Sequence, residues 1–235
     1  MSEVTIRPPL PIRAWRLLRR LGFLGVFKHA WSKFFERREM VFAETRRPFR
    51  TVKIPRHWGD GLQIDLADAD HLGPWEDEWE HMLEIYRERL ESPTGECMYG
   101  LIDGKLVSHG WFRTGPHYDH QMRYTFDPGE GGTYWFEGWT SQRARGKGIA
   151  ILGMNWMFAD LFSRPDWQWV THMQTYYEPD NKNSKRLHDR YGFHEIRRMV
   201  HYRIGPFRFT RVRWEKPHPD DLKEEQGSLD ESVSG

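Results

Sequence analysis

The 235-residue sequence holds a single cysteine, Cys97, and no apolar run near the roughly 20 residues that a membrane-crossing helix needs. One thiol excludes an intramolecular disulfide and any zinc site built on several cysteines, which fits a reducing compartment. The opening Met-Ser-Glu-Val with Pro8, Pro9 and Pro11 has no signal-peptide pattern, so a cytoplasmic protein is expected. Net charge is also scarce, at +1, but the charges are unevenly placed. Residues 1–50 carry 12 Lys or Arg against 4 Asp or Glu, and residues 215–235 carry 2 against 7. The length suits one well-cored domain with extensions.

Three regions follow. Residues 1–60 form a basic extension, in which Trp15, Leu18, Phe23, Phe27 and Trp31 alternate with arginines and lysines between residues 12 and 38. Two short amphipathic helices broken near Gly22 and Gly25 would sort them into an apolar and a basic face. That apolar face either lies on an anionic membrane surface or packs on the domain. Nucleic acid is a weaker partner, because the arginines alternate with apolar residues. Residues 61–214 form the domain, and the Pro-, Ser- and acid-rich residues 215–235 are expected to be a disordered tail.

Within the domain the pattern is mixed α/β. Strands are expected at residues 62–66, 97–102, 105–112, 134–140, 167–176, 193–204 and 207–214, with helices at 75–90, 148–162 and 181–190. Asp103-Gly104 marks a tight hairpin, and residues 113–132 read as a polar loop able to contact substrate. His117 and His120 have a workable spacing for a metal but lack the accompanying motif, so no metal is expected.

Residues 133–150, Thr-Tyr-Trp-Phe-Glu-Gly-Trp-Thr-Ser-Gln-Arg-Ala-Arg-Gly-Lys-Gly-Ile-Ala, read as an aromatic strand, a basic glycine-rich turn and the start of a helix. Gly146 and Gly148 let backbone approach an anion, and the helix turns free N-H groups and its positive dipole end toward it. Arg143, Arg145 and Lys147 add charge. The turn is not a P-loop, since Lys147 is followed by Gly148 and position 142 is Gln, nor a Rossmann turn, since position 151 is Ile.

Arg145-Gly-Lys-Gly148-Ile-Ala150 fits the pattern Gln/Arg-x-x-Gly-x-Gly/Ala, and residues 181–193, from Asn181 through Ser184, Leu187 and His188 to Gly192-Phe193, follow one helix and one strand later. Here the chain resembles the GNAT superfamily of acyl-CoA-dependent N-acyltransferases, over residues 62–214. The resemblance implies a seven-stranded mixed sheet, acetyl-CoA or another acyl-CoA as donor, and transfer to a small-molecule amine. It implies that Arg143 to Ala150, Ile149 included, hold the diphosphate, that Gly138, Trp139 and Thr140 bind pantetheine and polarise the thioester, and that Asn181 and Ser184 contact the coenzyme or cap their helix. Glu137, the one carboxylate in the entering strand, is the candidate base, with Trp135, Phe136 and Trp139 expected to desolvate it and raise its pKa; the alternative is an ordinary strand Glu paired with an arginine, and a bulge in the strand would alter which face it occupies. His188 stands where the family commonly has an acid tyrosine, with Tyr191 and Tyr176 as substitutes. His109 and His172 are candidates for the acceptor cleft, as are the aromatics Trp111, Tyr118 and Tyr124.

The acceptor itself is open, as is the oligomeric state. An amino sugar of surface-polysaccharide synthesis is the first reading, with the enzyme peripheral at the inner face of the membrane. A long-chain N-acyltransferase served by acyl carrier protein is the second, and a non-catalytic acyl-CoA sensor the third.

Overall fold

The run Met40-Val-Phe-Ala43 sits between charged residues without alternation, the pattern of a strand covered on both faces. The computed structural model describes residues 31, 34–55, 58–67, 83–92, 95–119 and 122–222. In it this run is the middle of strand β1 (Phe35–Arg46), antiparallel to β8 (His172–Tyr177) on one side and β9 (His194–Ile204) on the other. Met40 and Phe42 enter the core on one face of the sheet, Val41 and Ala43 on the other. The boundary expected at residue 61 therefore falls too late, because β1 is an interior strand of the domain.

The remaining strands are β2 (Leu62–Leu66), β3 (Gly95–Ile102), β4 (Lys105–Thr114), β7 (Gly132–Thr140) and β10 (Phe207–Glu215). The order is β10-β9-β1-β8-β7-β4-β3-β2, eight strands instead of the expected seven, the addition being β1. Among the described strands only β7 and β8 run parallel, and the crossover between them is helix α2 (Ile149–Ala159). Two further helices are described, α1 (Leu83–Glu91) and α3 (Lys182–Arg190).

Each face of the sheet has its own core. Met154, Met157 and Phe158 of α2 fill one, with Leu187 of α3 packed against it. Tyr86 of α1 and Met122 and Phe126 fill the other. Phe126 belongs to a small hairpin, β5 (His117–Asp119) with β6 (Tyr124–Phe126), so the segment expected to be a polar loop is partly core. Fully burying a side chain such as Phe112 or Phe42 contributes about 1.5–3 kcal/mol, so this packing outweighs the polarity of the surrounding residues.

Several boundaries differ from expectation: the helix expected to run to residue 162 ends at Ala159, and β3 and β7 each begin two residues early, at Gly95 and Gly132. β8 begins at His172, because Pro165 opens a short 3-10 turn that ends at Trp167. Residues 215–222 of the expected tail are ordered: His218 is buried, and its backbone N-H donates to Asp221 Oδ2 at 3.1 Å while Asp221 pairs with Arg46 of β1. Most of the expected amphipathic helices, residues 75–82 of the expected helix and residues 223–235 lie outside the described residues.

Candidate active site

β7 and β8 pair from Gly132 with His172 as far as Trp135 with Thr175, and there their ladder ends. On its other edge β7 stays paired to β4, but Trp111 faces Phe136 while His109 faces Trp139, so Glu137 and Gly138 together oppose Gly110. This is a β-bulge, with Glu137 in the left-handed region at φ 50°. Gly110 is required by the bulge, since a Cβ there would lie 2.2 Å from Trp135 Nε1. The strand turns just where β8 leaves it, and its open edge gives backbone N-H and C=O groups to a cleft.

That cleft has an inner cavity of about 310 Å³ and an outer one of about 710 Å³. Gly138, Trp139, Thr140, Ile149, Ala150, Asn181 and Ser184 line both, so the two are continuous. Arg145, Gly146 and Gly148 line the outer cavity, and Glu137 and His188 the inner. Arg143 turns away, donating from Nη2 to Leu106 O at 3.0 Å, and Lys147 is exposed beyond the lining. Of the three expected cations of the turn only Arg145 lines the outer cavity, where Arg186 and Arg190 of α3 join it.

The turn has the shape an anion needs. Gly146 and Gly148 have φ 78° and 76°, and Gly148 caps α2 at its N-terminus. Open space surrounds Gly146, whereas a Cβ on Gly148 would lie 2.0 Å from Trp58 Cε3. Gly148 is therefore demanded by the Trp58 ring, which lines the outer cavity, as well as by backbone conformation. Asn181 Oδ1 accepts from Ser184 N at 3.1 Å and caps α3, the structural half of the role expected for this pair.

Glu137 departs from its expected surroundings. Trp135 and Phe136 enter the opposite cores, and the bulge turns the carboxylate outward. Arg89 of α1 grips it with two bonds, Nη1 to Oε2 at 2.6 Å and Nη2 to Oε1 at 3.0 Å. The Arg89 guanidinium lies 5.2 Å from the ring centre of Trp111 and 5.6 Å from that of Phe136, so the ion pair is fixed by aromatic faces.

Tyr191 is not in the cleft. Its hydroxyl donates to Ile151 O at 2.7 Å and Asn155 Oδ1 at 2.8 Å, inside the core beneath α2. Asn155 also exchanges bonds with the Val52 backbone, accepting at 2.9 Å and donating at 2.7 Å, so Tyr191 completes a clamp that holds residues 49–55 to α2. His188 lines the inner cavity but is itself buried, and burial pushes its pKa down to about 4. It is neutral at pH 7 and holds no imidazolium proton to give. Tyr176 lines the same cavity, and burial raises its phenol above the ordinary range, so it stays protonated.

Of the other candidates, His109 lines the inner cavity with its pKa pushed down to about 4, first by burial and then by the Arg89 charge. His172 Nε2 lies 2.6 Å from Pro128 O, away from the cleft. Trp111 is core, Tyr118 is exposed, and Tyr124, a residue of the small hairpin, packs against the second core. His117 stacks on Phe136 at 5.3 Å, and His120 lies outside the described residues. Cys97 is fully buried with its thiol pKa raised by burial, which leaves no accessible thiolate. Sequence reasoning missed Trp58, Arg89 and Asn155, each of which acts across more than 45 residues of chain.

A model of the acetyltransferase (GNAT) family matches residues 63–193. No curated protein sequence matches the chain. Among solved structures, a putative GNAT acetyltransferase from Novosphingobium aromaticivorans is 15% identical, with 70% of this chain and 63% of that one covered at a TM-score of 0.44. A tandem GNAT protein from the clavulanic acid biosynthesis pathway is 13% identical over 92% of this chain and 62% of its own length, at 0.48. The aminoglycoside acetyltransferase AAC(6')-Iy, in complex with a bisubstrate analogue, is 15% identical over 57% of this chain and 91% of its own, at 0.40. The chain thus spans about three fifths of the length of the first two.

Proposed function

Because the chain belongs to the GNAT acetyltransferase family, we propose that it is an N-acyltransferase moving an acetyl group from acetyl-CoA directly to a small-molecule amine. The observation that carries the reading is the parting of β7 from β8 after Trp135, with the Gly146–Gly148 turn and the α2 N-terminus at the outer end of the opening. These residues fit the donor. The α2 N-terminus with Arg145, Arg186 and Arg190 would hold its phosphates, and the open edge of β7 its pantetheine. A bound thioester supplies an already activated acyl group.

The protein's own groups then supply orientation and proton movement. Backbone N-H at the bulge polarises the acyl carbonyl, the role of an oxyanion hole. Glu137, held in place by Arg89, takes the proton from the attacking amine. Of the residues considered for returning a proton to the thiolate, Tyr176 alone lines the inner cavity and carries a proton at neutral pH. The acceptor is read as an amino sugar, with residues 12–38 contacting an anionic membrane surface from the cytoplasmic side.

A second reading, an acyl-CoA sensor without turnover, is favoured by the engaged Tyr191 hydroxyl and the neutral His188. Thiol release from acetyl-CoA against a panel of amines separates the two. Amine-dependent release supports transfer, and tight coenzyme binding with no release supports the sensor. In the first case Glu137→Gln depresses the rate most at lower pH, where few acceptor amines are already neutral, with acetyl-CoA affinity preserved. An unchanged pH-rate profile removes Glu137 as base.

A further inference from the structure

β10 is the edge strand of the sheet, and every residue of it except Thr210 and Trp214 is exposed. At the β9-β10 turn, Phe207 is 72% exposed and Phe209 48%. Ile204, Phe34 and Trp31 join them, so five of the ten exposed large hydrophobics among the described residues gather at this one end. They are held together: Gly205 N donates to Phe34 O at 2.6 Å, Trp31 and Phe34 are 6.1 Å apart, and Phe209 stacks on Tyr202 at 5.1 Å. An exposed apolar group of this kind at the edge of a sheet calls for a partner.

The same face carries cations further along the strands. Arg37, Arg211 and Arg213 surround a cavity of about 360 Å³ floored by Val200 and Tyr202. One carboxylate, Glu39, accepts from Arg37 at 2.9 Å and from Arg213 at 3.3 Å, and Arg211 has no ion pair among the described residues. Glu39 also pairs with Arg198 at 3.3 Å, so its one charge is divided among Arg37, Arg213 and Arg198, and Arg211 is left without a carboxylate among the described residues. At about 3.3 Å per residue, Arg211 stands roughly 13 Å behind Phe207.

We infer that this end of the sheet docks on an anionic phospholipid bilayer, with Phe207, Phe209, Phe34 and Trp31 at the acyl boundary and Arg37, Arg211 and Arg213 at the phosphates. A bilayer surface offers an apolar layer and an anionic layer in that order, and long cationic side chains reach back to the second. Trp31, inside the patch, directly follows in sequence the basic and apolar residues 12–30. The inference deepens the membrane contact proposed for residues 12–38 and is independent of acyl transfer.

The test is flotation of the full-length protein with phosphatidylcholine vesicles, with and without phosphatidylglycerol. The wild type floats only with the anionic vesicles. Phe207→Ser with Phe209→Ser weakens partitioning by about tenfold or more, and Arg211→Glu by at least about fivefold, with acetyl-CoA binding and melting temperature unchanged. Leu17→Asp with Leu24→Asp serves as the comparison in the N-terminal segment. If only that pair reduces flotation, the sheet end is not the docking surface although the N-terminal reading stands. No flotation of the wild type overturns both readings. A concentration-dependent dimer, or capture of acidic acyl carrier protein, that the Phe207 and Arg211 substitutions abolish would also overturn the inference.

Discussion

Tyr191 illustrates how a residue type can suit a reaction while its bonds assign it elsewhere. Its hydroxyl has two acceptors, Ile151 O and Asn155 Oδ1, and no route to the cleft. Tyr191→Phe should therefore cost about 1–3 kcal/mol of stability in urea unfolding, the range for losing buried hydrogen bonds, with kcat within about twofold of wild type. A large fall in kcat at unchanged stability would return Tyr191 to the chemistry. The buried histidines make a second prediction. His109 and His188 have folded pKa values of about 4 against an ordinary 6.5, so the unfolded chain binds more protons between those values. Their stability contribution is complete above pH 6.5 and is lost as pH falls toward 4, by at most roughly 3 kcal/mol each. His188→Gln should remove about one proton from the slope of unfolding free energy against pH near 5, and an unaltered slope would mean that His188 is not buried as a neutral group.

At the scale of elements, the glycine-rich turn is tied to a segment far away in sequence. Gly148 makes room for Trp58, and Asn155 of α2 holds Val52, so residues 49–55 and 58–61 lie along the helix that the turn opens. Gly148→Ala should lower both stability and acetyl-CoA affinity. The left-handed backbone alone costs of order 1–3 kcal/mol, and the Trp58 contact adds to it. In a Trp58→Ala background the added part should vanish. Equal costs in both backgrounds, measured as a double-mutant cycle of thermal unfolding, would contradict the contact. The bulge is a comparable device: it frees the β7 edge, exposes Glu137 to Arg89 and sets the start of the cleft with one extra residue.

Across the whole molecule, the elements with local signatures were legible in sequence. The order from residue 62 to residue 214, the hairpin at Asp103-Gly104, the Gly148 turn and the Asn181 cap all depend on neighbouring residues. β1 was not legible, because its apolar centre is four residues long and its charged ends resemble a solvated helix; it is a strand only because β8 and β9 cover it on both sides. The ordered start of the tail likewise depends on Arg46, more than 170 residues away. In the site, Arg186 and Arg190 of α3 went unread, while the turn, Gly138 to Thr140 of β7 and Asn181, Ser184 and His188 were readable as candidates from their pattern. The Arg89 pair, the Trp58 ring and the occupied Tyr191 hydroxyl were not, since sequence spacing does not report which side chains meet across the sheet. The account depends on one claim, that the opening between β7 and β8 holds acetyl-CoA with its phosphates at the Gly146–Gly148 turn. Isothermal titration of the full-length protein with acetyl-CoA tests it most directly, comparing wild type with Arg145→Glu, whose guanidinium lines the outer cavity. Saturable one-to-one binding, weakened about tenfold or more by the charge reversal at unchanged melting temperature, is the expected result. Absence of binding by the wild type, or equal affinity in the two proteins, would contradict it.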